Sequence, residues 1–371
     1  MPSRVELSVG GNVHGGFISG EVNLSMEQAA NAFSIRYADR WTPKGDAWPI
    51  EAGDACKILI DGETVLSGYV DESTVRYNDK TQELEITGRS KTADLIDCSA
   101  HHKPGQWKNQ KIDKICADLC SPFGISLNIK SGLLGDKFER FSVDTGETVI
   151  EAIGRAARLR GLFPLCNHAG ELELKQAGTE RTSTLLQSGI NGNILSAQRT
   201  EGWQERYSDY FFRGQRAGNN DAFAGPAAHL TGDVQDELMI DRGRYRPLVV
   251  VSGGQDGFKD LKTRAIWEKN RRMGRSERIN VLVSDYKNAE GIWKPNVLVS
   301  VLDSRLRVGD VDKNKPAELI IVSVRFRFGP EGSDGGYITE LELTHPQAFT
   351  LEPVPKRKRK APLKTLPSPN Q

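Results

Sequence analysis

The chain has 371 residues, 37% of them hydrophobic and 27% charged, with 50 lysines and arginines against 49 aspartates and glutamates. That length is too great for one ordinary core and predicts about two to four domains of a soluble globular protein. A net charge of +1 excludes a global attraction to nucleic acid or anionic membrane. No apolar run approaches the roughly 20 residues that cross a bilayer. The N-terminus, MPSRVELSVGG, lacks the apolar core of a signal peptide, so the chain is expected to be made and folded in the cytoplasm.

Residues 1–90 read as mostly strand, because VELSVGG and FISGEVNLS alternate between glycine-rich turns. MEQAANAFSIRYADRW opens with a short helix-compatible stretch and alternates from Phe33. Asp61-Gly62 suits the type I′ turn of a hairpin. After Gly88 the pattern changes to helical spacing. KTADLIDCSA and NQKIDKICADLCSPFGI place Ile112, Ile115, Cys116 and Leu119 on one face, and Pro122 and Gly124 stop the second helix. TGETVIEAIGRAARLRGL follows with polar Thr145, Glu147 and Thr148 at its start. Val149, Ile150, Ile153, Ala156 and Leu159 form its stripe, and Gly161 stands at its end. LFPLCNHAGELELKQ reads as a hairpin about Ala169-Gly170 and closes a small α/β unit near Gly178.

Strands return over Ile190–Gln215, and residues 216–247 are rich in Gly, Ala, Asp and Asn without periodicity, as in a long loop. RPLVVVSGG is a strand. DGFKDLKTRAIWEKNRRMGRS is a helix with Leu261, Ala265, Ile266 and Trp267 toward a core, and ERINVLVSDYKNAEGIWKPNVLVSVLD gives strands on either side of a turn at Ala289 to Gly291. The tail, LEPVPKRKRKAPLKTLPSPNQ, carries prolines and basic residues and is expected to be disordered. Its KRKRK run has the composition of a patch for nucleic acid or an acidic partner, or of a plain solvated tail.

One module occurs twice. Trp48 to Ser90 and Trp293 to Pro346 each open with a tryptophan and a proline. An alternating strand follows (Cys56 to Ile60; Val297 to Val301), then a turn and a second strand (Val65 to Val70; Leu319 to Val324). A loop leads to a last alternating strand (Glu83 to Ile86; Ile338 to Leu343). Identity between the copies is low, so the match lies in pattern and order. Two similar faces on one subunit point to an assembly part, in which a trimer imitates a sixfold ring.

Chemistry-bearing motifs are few. There is no GxxxxGK[ST], GxSxG, HExxH or EF-hand loop. GGNVHGGF lies between strands and does not feed a helix, unlike a phosphate cradle. Glu147 and Glu151 are four apart on one helix surface, whereas a glycosidase pair is set across a cleft. Five scattered cysteines, Cys56, Cys98, Cys116, Cys120 and Cys166, do not make a disulfide framework. Cys116 and Cys120 share a helix face that suits small buried thiols better than a metal, since no second pair stands at finger spacing. Adjacent His101 and His102 point opposite ways in extended chain. Trp41, Trp48, Trp107, Trp203 and Trp293 are candidate interface anchors, or covers of their own cores.

The segment GYVDESTVRYNDKTQELEITGRSKTADLIDCSA resembles the baseplate hub proteins of contractile-tailed phages, most closely the Mu-like hub. The resemblance continues in order through GQWKNQKIDKICADLCSPFGI, SVDTGETVIEAIGRAARLRGL, RYSDYFFRGQ, RYRPLVVV and WKPNVLVSV. It implies an α+β, mainly β, multi-domain fold with two tube-type β-barrel domains and small α/β domains, related also to the hub of type VI secretion spikes. The expected division is a first barrel over 1–90, an α/β domain over 91–180, a second barrel from 181–215 and 288–350, an inserted small domain over 216–287, and a tail over 351–371. The implied function is structural, without catalysis, cofactor or metal. A homotrimeric pseudo-sixfold ring would adapt the sixfold tail tube to the threefold spike and leave a channel for DNA. Partners would be tail tube, spike and baseplate wedge proteins, in a virion baseplate assembled in the host cytoplasm. Subunit contacts are expected from Cys56, Ile58, Ile60, Val65, Tyr69, Val297, Val299, Val301, Ile321 and Val324. Rival readings are a cell-wall hydrolase, with close carboxylates in a cleft, and a carbohydrate-binding tail component, with tryptophans stacked on sugars. The hub of a contractile injection system is a further assembly reading.

Overall fold

A computed structural model describes residues 4–38, 50–79, 82–190, 192–214, 230–252, 258–329 and 336–350. Trp41, Trp48, residues 216–229 of the expected loop and the 351–371 tail lie outside these residues.

The first seven strands are β1 (Val5–Val9), β2 (Asn12–His14), β3 (Ser19–Ser25), β4 (Ala32–Ala38), β5 (Ala55–Ile60), β6 (Glu63–Tyr77) and β7 (Gln82–Ser90). Their alternation buries one face: Val5, Leu7, Val9, Val22, Phe33, Ile35, Ile58, Ile60, Leu84 and Ile86 join one core. Asp61 and Gly62 both take positive φ, 52° and 80°, as a type I′ turn requires. The helix-compatible stretch after β3 is instead a bend. Asn31 Oδ1 accepts from Ser25 N–H at 3.3 Å and Ser25 Oγ from Glu27 N–H at 3.2 Å. So short a link between paired strands offers no room to nucleate a helix.

The α/β unit contains α1 (Ala93–Asp97), β8 (Gln106–Gln110), α2 (Ile112–Cys120), β9 (Leu127–Ile129), β10 (Phe138–Ser142), α3 (Val149–Arg158), β11 (Phe163–Cys166) and β12 (Leu172–Lys175). Thr148 and Glu151 form a reciprocal capping box at the start of α3, with bonds of 3.3 and 2.9 Å. Gly161 at φ 72° ends the turn beyond it. Ile112, Ile115, Cys116, Leu119, Val149, Ile153 and Ala156 meet in this unit's own core.

Then follow β13 (Glu180–Gln187), β14 (Ile194–Glu201), β15 (Asp209–Gly214), β16 (Leu230–Gln235), α4 (Glu237–Asp241), β17 (Pro247–Ser252), α5 (Phe258–Arg275), β18 (Glu277–Val283), the short hairpin β19 (Lys287–Asn288) and β20 (Gly291–Ile292), β21 (Val297–Leu302), β22 (Ala317–Phe328) and β23 (Ile338–Thr344). The chain divides into a large compact unit, residues 1–206 with 270–351, and a smaller one that includes residues 207–269.

In the smaller unit, β15 is central between antiparallel β16 and parallel β17. Its core holds Tyr210, Phe212, Leu261 and Ala265. Three expectations differ here. The expected division places Asp209–Gly214 in the second barrel, yet it forms the middle of this sheet. The expected loop contains a strand and a short helix. Its strand, LTGDVQ, is obscured by a glycine that the packing requires. A Cβ on Gly232 would lie 2.5 Å from the backbone of Leu261, so only glycine lets α5 approach. On α5, Leu261 and Ala265 are buried, but Ile266 is 40% exposed and Trp267 half-buried. Likewise Glu277–Val283, placed in the inserted domain by pattern, pairs with β14 and β23 in the large unit.

The large unit is organised by one sheet of thirteen strands. Its main path runs β14-β18-β23-β22-β3-β4-β7-β6-β5-β1-β2, with β21 also on β22 and β13 on β21. Strands from both ends of the chain thus share one sheet and one core, which includes Ile35, Ile58 and Ile86 with Val281, Val299 and Phe326.

Candidate assembly surface

The duplicated pattern is a duplicated topology. The path β3-β4-β7-β6-β5 is repeated by β14-β18-β23-β22-β21, pair for pair and antiparallel throughout. The register repeats too. β6 shifts against β7 between Val70 and Glu72, and β22 shifts against β23 between Ile321 and Ser323, so a bulge stands at the same place in both copies. Aligning the bulges equates Val70 with Ile321 and Tyr69 with Ile320. Opposite Tyr69 is Ala55 and opposite Ile320 is Leu298. Two residues before each of these, Gly53 N–H donates to Val70 O and Asn296 N–H donates to Ile321 O, both at 2.8 Å. Gly53 and Asn296 both have positive φ, 95° and 65°, a conformation that glycine and asparagine tolerate best.

Among the described residues, one strand pairing joins the copies within the chain. The first half of β22 pairs with β21. Beyond the bulge, the same edge pairs with β3 of the first copy, from Ser323 opposite Ser25 to Phe328 opposite Gly20. Val324, Phe326, Val22 and Leu24 are buried there. Phe328 lies so close to Gly20 that a Cβ would meet its ring at 2.5 Å. Phe326 stacks edge-on against Tyr286, ring centres 5.3 Å apart at 72°, and the Tyr286 hydroxyl donates to Arg327 O at 2.6 Å.

At the bulge of β6, Arg89 Nε binds Asp71 Oδ2 at 2.6 Å, and its two other nitrogens bind the Asp97 carboxylate at 3.2 and 2.7 Å. The guanidinium holds the Asp97 carboxyl below its ordinary range. This fork ties the first sheet copy to α1. In the α/β unit, Arg155 grips Glu147 through two bonds of 3.0 and 2.8 Å and reaches Ser142 O at 2.8 Å. These bonds hold the Glu147 carboxyl below the usual carboxylate range, against the opposing effect of partial burial.

The ten residues expected at subunit contacts are mostly elsewhere. Cys56, Ile58, Ile60, Val65, Val299, Val301, Ile321 and Val324 are buried in the chain's own core, and only Tyr69 and Val297 are half-buried. Strong apolar alternation marks the face that one chain buries for itself, and these eight side chains are enclosed there. Of the candidate tryptophan anchors, Trp107 and Trp293 are 5% and 2% exposed and serve as core. Trp203 is half-buried and donates to Glu201 at 2.8 Å. Cys116 and Cys120 are enclosed on the inner face of α2, where burial pushes the Cys120 thiol up to about 12. His102 stacks on Trp107 at 4.7 Å. Among the described residues, no three His, Cys, Asp or Glu side chains are placed to share a metal.

Three family models match consecutive parts of the chain. Residues 4–90 match the Mu phage baseplate assembly protein GpP-like N-terminal domain. Residues 92–176 match the baseplate hub protein gp44-like second domain, and residues 258–352 match the Mu phage baseplate assembly protein GpP fourth domain. Baseplate hub protein gp44 of Escherichia phage Mu is 29% identical over 370 residues, covering 97% of this chain and 92% of that protein. The crystal structure of the 43 kDa tail protein of prophage MuSo2 from Shewanella oneidensis superposes with a TM-score of 0.77 at 27% identity, over 93% of this chain and 99% of the other. A component of the Escherichia coli type VI secretion system shares the fold alone, with a TM-score of 0.53 at 9% identity over 94% and 79% of the two chains. In fold, in domain order and over nearly its whole length, the chain is a homologue of the Mu-type baseplate hub proteins.

Proposed function

We propose that the chain is the structural hub of a Mu-like tail baseplate and works as a homotrimer. Its six sheet copies form a ring of near-sixfold symmetry. One face of that ring meets the sixfold tail tube and the other the threefold spike. Wedge proteins attach outside, and DNA passes through the central channel. The protein resides in the virion baseplate after assembly in the host cytoplasm. The observation that carries this reading is the duplicated strand order with its matching bulges and register. A threefold object can mate with a sixfold one only if each subunit offers two alike faces. A closed ring also pairs strand edges that would otherwise stay open, and it is built from heterologous contacts, a different patch on each side.

The test is the mass of the purified protein by light scattering, with negative-stain images of the same peak. Three times the 41.0 kDa chain mass and a six-lobed ring support the hub reading. A particle of two chains, or a ring without six lobes, overturns it.

A further inference from the structure

The internal junction has an unused counterpart. In the second copy, β22 beyond its bulge pairs with β3. In the first copy, the equivalent stretch of β6 is Glu72 to Tyr77, and it pairs only with β7. The strand equivalent to β3 is β14, and it pairs only with β18. Both are free edges among the described residues. Neither Asp71–Tyr77 nor β14 carries the lysine or proline that blunts an exposed edge.

The side chains agree. Ser73 and Val75 stand opposite Ile86 and Leu84, which are 1% and 2% exposed, so they lie on the core face. Yet Val75 is 50% exposed and Tyr77 79%, whereas their equivalents Phe326 and Phe328 are 0% and 6% exposed. The inward pattern continues to the end of β6: the Ser73 hydroxyl donates to Ile50 O at 3.3 Å, while Val75 and Tyr77 lie largely open among the described residues. On β14, Ala197 and Arg199 stand opposite buried Val281 and Ile279 and likewise face the core side.

We infer that β6 of one subunit pairs antiparallel with β14 of the next copy of this chain, in the register that β22 keeps with β3. This rests on the ring reading above and assigns its intersubunit contact. Transferring the internal register sets Ser73 opposite Glu201, Thr74 opposite Thr200, Val75 opposite Arg199, Arg76 opposite Gln198 and Tyr77 opposite Ala197. No like charges meet. Tyr77 falls on the small Ala197 as Phe328 falls on Gly20. The contact is head to tail, so it propagates until the ring closes.

Paired cysteines test the register. Thr74 and Thr200 lie on the outward face, and Thr200 is exposed, so substitution there spares the core. The internal control is Arg325→Cys with Asn23→Cys, whose positions are already opposite each other and which forms a bond within one chain. Thr74→Cys with Thr200→Cys is expected to give a ladder of covalently linked chains on mild oxidation. Thr74→Cys with Arg199→Cys points the thiols to opposite faces and is expected to cross-link about tenfold less, since directly opposed Cβ atoms are about 5 Å apart. Single-cysteine variants set the background from exposed Cys98. A six-lobed ring in which the 74/200 pair does not cross-link overturns this register and leaves the hub reading intact. Absence of both ring and cross-link at high protein concentration overturns both. A Tyr77→Lys variant that still forms the ring overturns the edge assignment independently.

Discussion

Phe326 and Val75 occupy equivalent places in the two sheet copies, but only Phe326 has its neighbour within the same chain. Phe326→Ala should therefore cost far more than Val75→Ala when the isolated chain unfolds. Phe326 is fully buried and packs edge-on against Tyr286. Removing such a ring costs about 3–5 kcal/mol, of which the aromatic pair contributes about 0.5–1.5 kcal/mol. The upper part of the range applies here, because Tyr286 is pinned at its hydroxyl by Arg327 O and cannot swing into the vacated space. Val75 is half exposed, and its truncation should stay within about 0.5 kcal/mol. Urea unfolding at dilute protein concentration, followed by tryptophan emission, reads the difference, since Trp293 shares the core with Phe326. With a slope of about 3 kcal/mol per molar, the Phe326→Ala midpoint should fall by more than about 1 M and that of Val75→Ala by less than about 0.2 M. Equal shifts for the two variants would refute the claim that the junction is complete on one side of the repeat and open on the other.

Gly68→Ala should be among the most damaging small substitutions, because a Cβ there would lie 1.8 Å from the carbonyl oxygen of Arg89, where β6 and β7 cross-pair. A loss above about 3 kcal/mol is expected from the enforced backbone shift, measured by thermal or urea unfolding. Glu147→Gln should flatten the acid limb of stability. The folded Glu147 carboxyl titrates below its unfolded value, so its contribution is present above the unfolded pKa, about 4.3, and is lost as pH falls through the lower folded value. Unfolding midpoints measured from pH 7 to pH 3 should therefore converge for variant and parent at the acid end. Midpoints that stay parallel would show that the Arg155 grip does not distinguish the folded from the unfolded chain.

What the amino-acid pattern reveals depends on which group makes the contact. The core face is legible because period-two alternation of Cys56, Ile58 and Ile60, or of Val299 and Val301, reports burial directly. The helix at Val149 is legible from its capping residues and from Val149, Ile153 and Ala156 of its stripe, whereas Leu159, expected on the same stripe, caps the helix and is 46% exposed. The boundary of the smaller unit is not, since Leu230–Gln235 carries Gly232 and Asp233, residues that suppress strand propensity, and glycine is there to admit α5. The proposed contact surface is hidden for a deeper reason. An edge-to-edge junction is made chiefly by backbone N–H and C=O groups, which nearly every residue has, so apolar side chains point to the wrong residues. Its side-chain trace is slight: Ser73, Val75 and Tyr77 continue an inward alternation in a stretch whose other residues are polar. The same reasoning explains why the two copies share so little identity. What they have in common is a bulge, a pairing offset and a left-handed residue before the strand, and Gly53 and Asn296 meet the last demand equally well. In the proposed ring, a subunit that imitates its own neighbour is held to backbone geometry at the junction, while the side chains behind it are free to diverge wherever each copy's core can be filled.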